Sequence, residues 1–275
     1  MARPSAVAPG MSDWFESSLG RSLLEQERLH CHKLIPSGYY PRSLQAGLPS
    51  FSFLDDIETG GRFFVGECAL RGRGASRYHE TGEAEDNTGQ KDAPPVHCAV
   101  AKSSAMPFAD KTHNLIVLPH TLDFCEDPHG VLREVNQILV PQGCVVIIGF
   151  NRLSLWGAIR PVMKGANRQP WCGRYRRVGL VQDWLSLLGF ELAGAAMMAY
   201  QPPLQNEKWR RKLAFIDNAG ARWWPALGAV YVIVGRKKEI AVRGRGLTRL
   251  QWRRLLPGMA QPAARVELKL VHAKR

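Results

Sequence analysis

Two residues that can exchange protons follow one of the most apolar stretches of the chain. His120 and Asp123 lie in the segment Leu-Pro-His-Thr-Leu-Asp, directly after the apolar run 115–118. An imidazole or a carboxylate beside a reacting group can act as a general base when the acceptor carries a proton. His120 and Asp123 are therefore candidate catalytic residues. A structural or ligand-stacking role is the alternative for His120.

A second set of candidates follows the apolar run 144–150. Asn151, Arg152 and Trp156 come shortly after this run and offer an amide, a cation and an aromatic face. We expect these three residues to contact the substrate, with core packing as the alternative for Trp156. Trp223 and Trp224, by contrast, are expected to pack in the core or beneath a lid.

The cysteines and histidines do not form a pattern typical of a metal site. The six cysteines lie far apart without a Cys-x-x-Cys pair, and His30-Cys31-His32 stands in a helical pattern with no second cluster of ligands. We expect no bound metal ion. Reduced thiols of a cytoplasmic protein are the simpler interpretation.

The apolar pattern alternates between helices and strands, which indicates an α/β protein. Residues 12–35 predict an amphipathic helix with Ser12 as its cap, and Asp127-Pro128 is typical of a helix start. The run 144–150 lacks alternation, so it predicts a strand buried on both faces in a parallel sheet covered by helices. Further strands are predicted at 43–47, 62–65, 96–101, 115–118, 191–200 and 229–234, and further helices at 178–188 and 209–219.

Positive charge is concentrated in the rear half of the chain. Residues 1–151 carry 13 Lys and Arg against 18 Asp and Glu, residues 152–230 carry 12 against 4, and residues 231–275 carry 12 against 2. This distribution favours an anionic partner, with a solvated tail as the alternative. No apolar run reaches the roughly 18 residues that a membrane span requires, and the start lacks a secretory segment, so we expect a cytoplasmic protein without a membrane span.

The segment 104–150 carries a composite motif. It reads SAMPFAD, then HNLIVLPHTLDFCEDP, then VLREVNQILVPQGCVVIIGF. The motif residues are Pro107, Phe108, Asp110, Asp127, Pro128, Leu132, Glu134, Leu139, Pro141 and Gly143. This segment resembles the second half of class I S-adenosylmethionine-dependent methyltransferases of the type 11 branch. The flanks extend the resemblance over most of residues 12–238, to a bacterial subgroup of uncharacterised methyltransferases.

The resemblance implies a fold, a cofactor and a reaction. The fold is a Rossmann-like, parallel-rich sheet of seven strands with helices on both faces. An N-terminal helical extension is expected at 1–35, a methyltransferase-like domain at 36–238 with a polar insertion at 71–95, and a basic tail at 239–275. The implied cofactor is S-adenosyl-L-methionine, and the implied reaction is methylation of an unidentified acceptor, which the basic rear half suggests to be anionic.

The resemblance also implies where the cofactor binds. A glycine-rich turn after the first strand approaches its methionine part, and the distance to the motif at 104–150 favours Gln45 and Gly47 over Gly72-Arg-Gly74 for this turn. Glu67, after the second strand, would hold the ribose hydroxyls. The remaining implied contacts are Ser104, Ala105 and Met106 beside the adenine, and His120.

Two departures from the family pattern leave a different function open. A single glycine stands at the turn where the family usually has two or three, and Lys102 stands where the family often has an acid. An ammonium group only donates hydrogen bonds and cannot accept one from the adenine amino group. The alternatives are a non-catalytic scaffold with this fold and a nucleic-acid-binding protein that uses its basic rear half.

Overall fold

The computed structural model of the chain describes residues 11–48, 50–66, 95–164 and 169–238. The strands of this part are β1 Ser43–Ala46, β2 Arg62–Gly66, β3 Val96–Val100, β4 His113–Pro119, β5 Leu139–Phe150, β6 Phe190–Met198 and β7 Val230–Lys237. They form one sheet in the order β3-β2-β1-β4-β5-β7-β6. Only β7 runs antiparallel to its neighbours. The predicted Rossmann-like, parallel-rich sheet of seven strands is confirmed.

Eight α-helices accompany the described strands. They are α1 Met11–Phe15, α2 Ser18–Leu34, α3 Thr121–Phe124, α4 Pro128–Ile138, α5 Leu155–Lys164, α6 Val178–Leu187, α7 Glu207–Lys212 and α8 Ala214–Trp223. A short 3-10 helix, Pro225–Leu227, precedes β7. Within these residues no helix is both long enough and apolar enough to cross a membrane.

Helices cover both faces of the sheet, as predicted. In β5, Val145 and Ile147 pack into a layer with α4 and α6, whereas Val146 and Ile148 pack into a layer with α1 and α2. Residues 143–150 of this strand are all buried, because both of its faces are covered. This two-sided burial is the reason that the run shows no polar alternation.

The N-terminal helix differs from its prediction. One helix was expected over residues 12–35, but the chain breaks at Glu16-Ser17 into α1 and α2, and Ser17 rather than Ser12 caps α2 by accepting a hydrogen bond from the Gly20 amide (3.1 Å). A side chain at residue 20 would clash with the carbonyl of Trp14. Glycine at this position therefore lets the two helices pack closely.

The segment that leads into the central strand follows its prediction closely. Asp127 caps α4, since its carboxylate accepts a hydrogen bond from the Gly130 amide (2.9 Å), and Pro128 takes the first helical position. The strand that follows begins at Leu139 rather than at Cys144, and its pairing with β4 shifts register between these two residues. The predicted helix 209–219 is likewise two helices, α7 and α8, which meet at Leu213.

Some predictions on domain organisation lie outside the described residues. These are the basic tail 239–275 and nearly all of the insertion 71–95. The predicted domain boundaries stay predictions. Between β1 and β2, residues 51–57 form turns and bends, and α1 and α2 cover this side of the sheet.

Candidate functional site

Three strands end at the same edge of the sheet and bring candidate residues together. β1 ends at Ala46, β4 at Pro119 and β5 at Phe150, and Gly47, His120 and Asn151 follow directly. Because these strands are parallel, their carboxyl ends lie side by side. In open α/β sheets ligands bind at this edge, where the strand order reverses, and here the order reverses between β1 and β4.

Gly47 makes the turn at the end of β1. Its φ is +96°, and its amide donates a hydrogen bond to the Val65 carbonyl (2.8 Å). A Cβ atom at this residue would lie 2.6 Å from the Thr121 hydroxyl, which in turn donates to the Ala46 carbonyl. Both the backbone conformation and the close approach of Thr121 therefore require glycine here.

Gln45 lies beneath the turn and is completely buried. Its amide nitrogen lies within hydrogen-bonding distance of the carbonyls of Gly47, Leu48 and Phe51, and its amide oxygen accepts from the Phe53 amide (2.8 Å). The side chain thus holds the turn and the segment after it in place. Gln45 therefore positions the turn, and its predicted contact with the cofactor stays a prediction.

A buried charged cluster lies next to this turn. His120, at the end of β4, contacts Glu27 of α2 through Nε2 (2.9 Å to Oε1) and Asp123 through Nδ1 (3.1 Å to Oδ2). All three side chains are fully buried. We call Glu27, His120 and Asp123 the buried triad. Asp123 Oδ2 also accepts the Phe150 amide (2.8 Å), which ties the triad to the end of β5.

His120 is protonated in this environment. Burial on its own lowers its pKa, but the negative charge of Glu27 and the hydrogen bonds to Asp123 and Glu27 outweigh burial and raise the pKa to about 9. The imidazolium therefore donates one hydrogen bond to each carboxylate. A role of His120 or Asp123 in proton transfer stays a prediction, and for His120 it requires a conformation in which Glu27 has moved away.

Two oxygen atoms of the triad have no hydrogen-bond partner among the described residues. They are Oε2 of Glu27 and Oδ1 of Asp123, both buried. Burial raises the pKa of Asp123, and the hydrogen bond and charge of His120 oppose this rise. Buried carboxylate oxygens without a donor are costly, so these two atoms are acceptors that a cationic group would satisfy.

The three predicted substrate residues differ in burial: Asn151 and Trp156 are buried, whereas Arg152 is exposed. Asn151 is buried, and its amide group bonds the carbonyls of Ala226 and Gly228 and the amide of Leu153, so it shapes the turn after β5. Trp156 is also buried and donates to the Gln201 carbonyl (2.8 Å). Arg152 is exposed and lines a separate cavity of about 650 Å³.

Trp156 lines another cavity, of about 330 Å³. This cavity lies near the end of β6, since Ala199 and Gln201 also line it. Its polar lining comes from Ser22, Gln26, Gln201, Glu207, Arg210, Arg211 and Asp217. We call this cavity the α2–α7 cavity, after the helices on its two sides. Phe150 is close to both the triad and this cavity, since its ring centroid lies 4.2 Å from that of His120 and 6.2 Å from that of Trp156.

The predicted adenine neighbours lie in the loop after β3. Ser104 and Ala105 are exposed, whereas Met106 is buried, and its amide donates to Glu134 of α4 (3.0 Å). Met106 packs in the same apolar layer as Ala46 and Val65, so this loop adjoins the ends of β1 and β2. Glu67, predicted to bind ribose, lies outside the described residues.

Known proteins share the fold of this chain. Residues 78–147 match the model of a family described as a methyltransferase domain of type 11, which confirms the predicted resemblance. A methyltransferase from Thermotoga maritima, described as S-adenosylmethionine-dependent and a possible histamine N-methyltransferase, superposes with a TM-score of 0.55 at 18% identity, over 82% of this chain and 93% of that one. This chain has a methyltransferase fold.

Two further similarities extend the comparison. The methyltransferase fold also superposes on the N-methyltransferase NodS from Bradyrhizobium japonicum, in complex with S-adenosyl-L-homocysteine, with a TM-score of 0.51 at 13% identity, over 81% of this chain and 89% of that one. The uncharacterised protein YafS of Escherichia coli K12 is 36% identical over 151 residues, which are 55% of this chain and 56% of YafS. The match thus spans about half the length of each protein.

One member of the site, Glu27 of α2, is absent from the residues predicted from the sequence. The apolar stripe of α2 recurs every four residues through Leu19, Leu23 and Cys31, and Glu27 stands on the same stripe. A carboxylate on the buried face of a helix requires a partner inside the protein. That position was the available signal, but the sequence does not tell which partner it meets.

Proposed function

We propose that this chain is an S-adenosyl-L-methionine-dependent methyltransferase that binds its cofactor where β1 and β4 end. The observation that carries the proposal is the pairing, at this edge, of a glycine turn with two unsatisfied carboxylate oxygens. The cofactor has an ammonium group and a sulfonium centre, and both are cations. Glu27 Oε2 and Asp123 Oδ1 supply the matching negative charge.

The residues at this edge therefore fit the chemistry of the cofactor. Glu27 and Asp123 would hold the cationic part, Ser104, Ala105 and Met106 would flank the adenine, and Glu67 would hold the ribose. When bound, the cofactor would supply a methyl group activated by its sulfonium, which would pass to the acceptor by in-line displacement with S-adenosylhomocysteine as the leaving group. The triad is fully buried beneath α1 and α2. Binding at this edge thus requires these helices or the segment after Gly47 to move.

The contribution of this chain to such a reaction would be to position the cofactor and the acceptor. Protonated His120 orients two carboxylates that would otherwise repel each other, and Asp123 fixes the end of β5 through the Phe150 amide. Correct placement of two reactants can supply most of the acceleration of a displacement reaction. His120 becomes available as a base for a protic acceptor only after Glu27 separates from it.

Calorimetric titration with S-adenosylmethionine and S-adenosylhomocysteine tests this proposal. We expect micromolar affinity for both, since the carboxylates offer partners for the ammonium group that the two compounds share. The matched variant is Glu27→Gln, which keeps the size of the side chain and removes its charge, and we expect at least about a ten-fold weaker affinity. Absence of binding at millimolar cofactor would overturn the proposal and favour the non-catalytic scaffold.

We further propose the α2–α7 cavity as the acceptor site, and an acceptor that carries a negative charge. Arg211 is paired with Glu207, and Asp217 accepts hydrogen bonds from the amides of residues 200 and 201 and from the Gln201 side chain. Arg210 donates to the Ser18 hydroxyl (3.0 Å), which leaves its charge without a carboxylate partner in the described part of the chain. An anionic group of the acceptor fits this guanidinium.

Transfer of a radiolabelled methyl group into a bacterial metabolite extract tests the acceptor site. We expect label in the fraction retained by an anion exchanger, and Arg210→Gln should lower that label by about ten-fold without weakening cofactor binding. Lys208→Gln, at an exposed residue two positions before Arg210 on the same helix, serves as the control. Label confined to the unretained fraction, or an unchanged rate in Arg210→Gln, would contradict an anionic acceptor.

Contact with nucleic acid stays a second prediction. It rests on the basic rear half of the sequence, and 12 Lys and Arg of that half lie at 231–275, mostly outside the described residues. Salt-dependent binding to mixed oligonucleotides would support it.

A further inference from the structure

Large apolar side chains are concentrated on the surface of one segment. Residues 207–227, comprising α7, α8 and the 3-10 helix, form what we call the aromatic–basic segment. Its exposed fractions are 55% at Trp209, 65% at Phe215, 70% at Trp223 and 60% at Trp224. The expectation that Trp223 and Trp224 pack in the core or beneath a lid is therefore wrong. Trp156 and Trp171, elsewhere in the described chain, are buried.

This exposure is not explained by the fold. Burial of a side chain of this size stabilises a protein, and soluble proteins seldom expose several in one short segment without a partner. The segment is held in place by other residues, since Asp217 accepts the Tyr200 and Gln201 amides and Tyr200 donates to the Pro225 carbonyl. The exposed aromatic rings are thus free to meet a partner.

The net positive charge of the aromatic–basic segment indicates a negatively charged partner. Five cations stand against two acids: Lys208, Arg210, Arg211, Lys212 and Arg222 against Glu207 and Asp217. Asp217 is occupied by the hydrogen bonds from residues 200 and 201, and Glu207 by Arg211. Lys212 lies over the Trp209 ring, with its Nζ 5.1 Å from the centroid. The surface thus offers positive charge interleaved with indole rings.

Indole rings together with lysine and arginine are the combination that membrane interfaces select. Tryptophan partitions to the level of the lipid headgroups, and basic side chains near it attract anionic lipids. A docking surface for a protein would need acidic groups on the partner and a defined shape. A lipid surface needs only exposed rings and positive charge.

We propose that the aromatic–basic segment binds the surface of an anionic membrane, with its exposed rings at the headgroup level. Arg210, Arg211, Ala214 and Asp217 of the same two helices line the α2–α7 cavity. Binding through this segment would hold that cavity beside the lipid surface. The inference rests on exposure and charge alone, so it does not depend on the proposed methyl transfer.

Vesicle flotation of the full chain tests the proposal. We expect binding to vesicles of phosphatidylcholine mixed with phosphatidylglycerol, at least about ten-fold weaker binding to phosphatidylcholine alone, and a decrease with added salt. The variant Phe215→Ser/Trp223→Ser should bind the mixed vesicles about ten-fold more weakly. The matched control is Leu187→Ser, which removes an exposed apolar side chain of α6 (85% exposed).

Several outcomes would overturn the proposal. Undiminished binding by Phe215→Ser/Trp223→Ser, with circular dichroism equal to that of the wild type, would assign vesicle binding to another basic part of the chain. Equal binding to both kinds of vesicle would contradict a surface that requires anionic lipid, and no binding to either kind would exclude the membrane as the partner. A concentration-dependent dimer in gel filtration that this variant abolishes, without vesicle binding, would assign the surface to a second copy of the chain.

Discussion

Replacing Glu27 with alanine is expected to lower the free energy of unfolding by roughly 3 kcal/mol. Glu27 is fully buried and lies 2.9 Å from the His120 imidazolium, so alanine removes one of two carboxylates that stabilise this buried cation and also leaves a cavity. Urea denaturation near neutral pH measures the change directly. The effect should be among the largest of any single substitution of a charged residue in the described chain.

An exposed glutamate of the same helix provides the matched control for this prediction. Glu25 lies on the solvent side of α2, so Glu25→Ala should change the free energy of unfolding by less than about 0.5 kcal/mol. Equal losses in the two variants would contradict a special contribution of the buried triad, because alanine is at least as good a helix former as glutamate.

The same triad makes stability depend on pH. The pKa of His120 is raised from 6.5 to about 9 in the folded state, so the folded protein holds a proton that the unfolded chain releases. This contribution is fully present below pH 6.5 and is lost as the pH rises through 9. Between about pH 7 and 8 we expect the free energy of unfolding to fall by about 1 kcal/mol.

The charge-removing variant tests the cause of this pH dependence. Glu27→Gln removes the carboxylate that contributes most to raising the pKa of His120, so the fall in stability between about pH 7 and 8 should become smaller. A wild-type stability that does not change over this interval would contradict a protonated His120.

Replacing Gly47 with alanine is expected to cost about 2 kcal/mol of stability and to weaken binding of S-adenosylmethionine by ten-fold or more. Two causes combine, because the residue has a φ of +96° and an added Cβ would lie 2.6 Å from the Thr121 hydroxyl. Thermal unfolding and calorimetric titration measure the two effects separately. The loss of affinity follows from the proposed binding of the cofactor beside this turn.

A substitution at Gly189 distinguishes the effect of the positive φ from the effect of the close contact with Thr121. Its φ is +83°, close to that of Gly47, but an added Cβ would meet no atom within 4 Å. Gly189→Ala should therefore cost only about 1 kcal/mol and leave cofactor affinity unchanged. If both variants bind the cofactor like the wild type, the cofactor does not approach the turn at Gly47.

Much of the architecture is determined by local sequence. Asp127 and Pro128 begin α4 because an aspartate cap and a proline at the first position satisfy the backbone within a few residues. The unbroken apolar run 144–150 can be stable only as a strand covered on both faces, and this alone predicts a sheet between layers of helices. Such features depend on near neighbours in the chain, so a single sequence reveals them.

The site depends on contacts between distant residues, and these the sequence does not specify. Glu27 and His120 are 93 positions apart, and only their contact inside the folded chain raises the pKa of His120 and occupies both of its nitrogen atoms. Arg152 and Trp156 are four positions apart, yet they line different cavities because the turn after β5 separates them. Their proximity along the chain does not reveal this separation.

Tertiary packing also determines which side chains of residues 223–234 are buried. Residues 223–234 read as one apolar stretch, but Val230–Val234 enters the sheet between β5 and β6, whereas Trp223 and Trp224 stay on the surface. Hydrophobicity alone cannot distinguish these two parts, because burial requires a neighbouring element to cover the side chain. The sequence thus determined the elements and their apolar faces, and the tertiary structure decided which polar groups meet and which apolar groups are left for a partner.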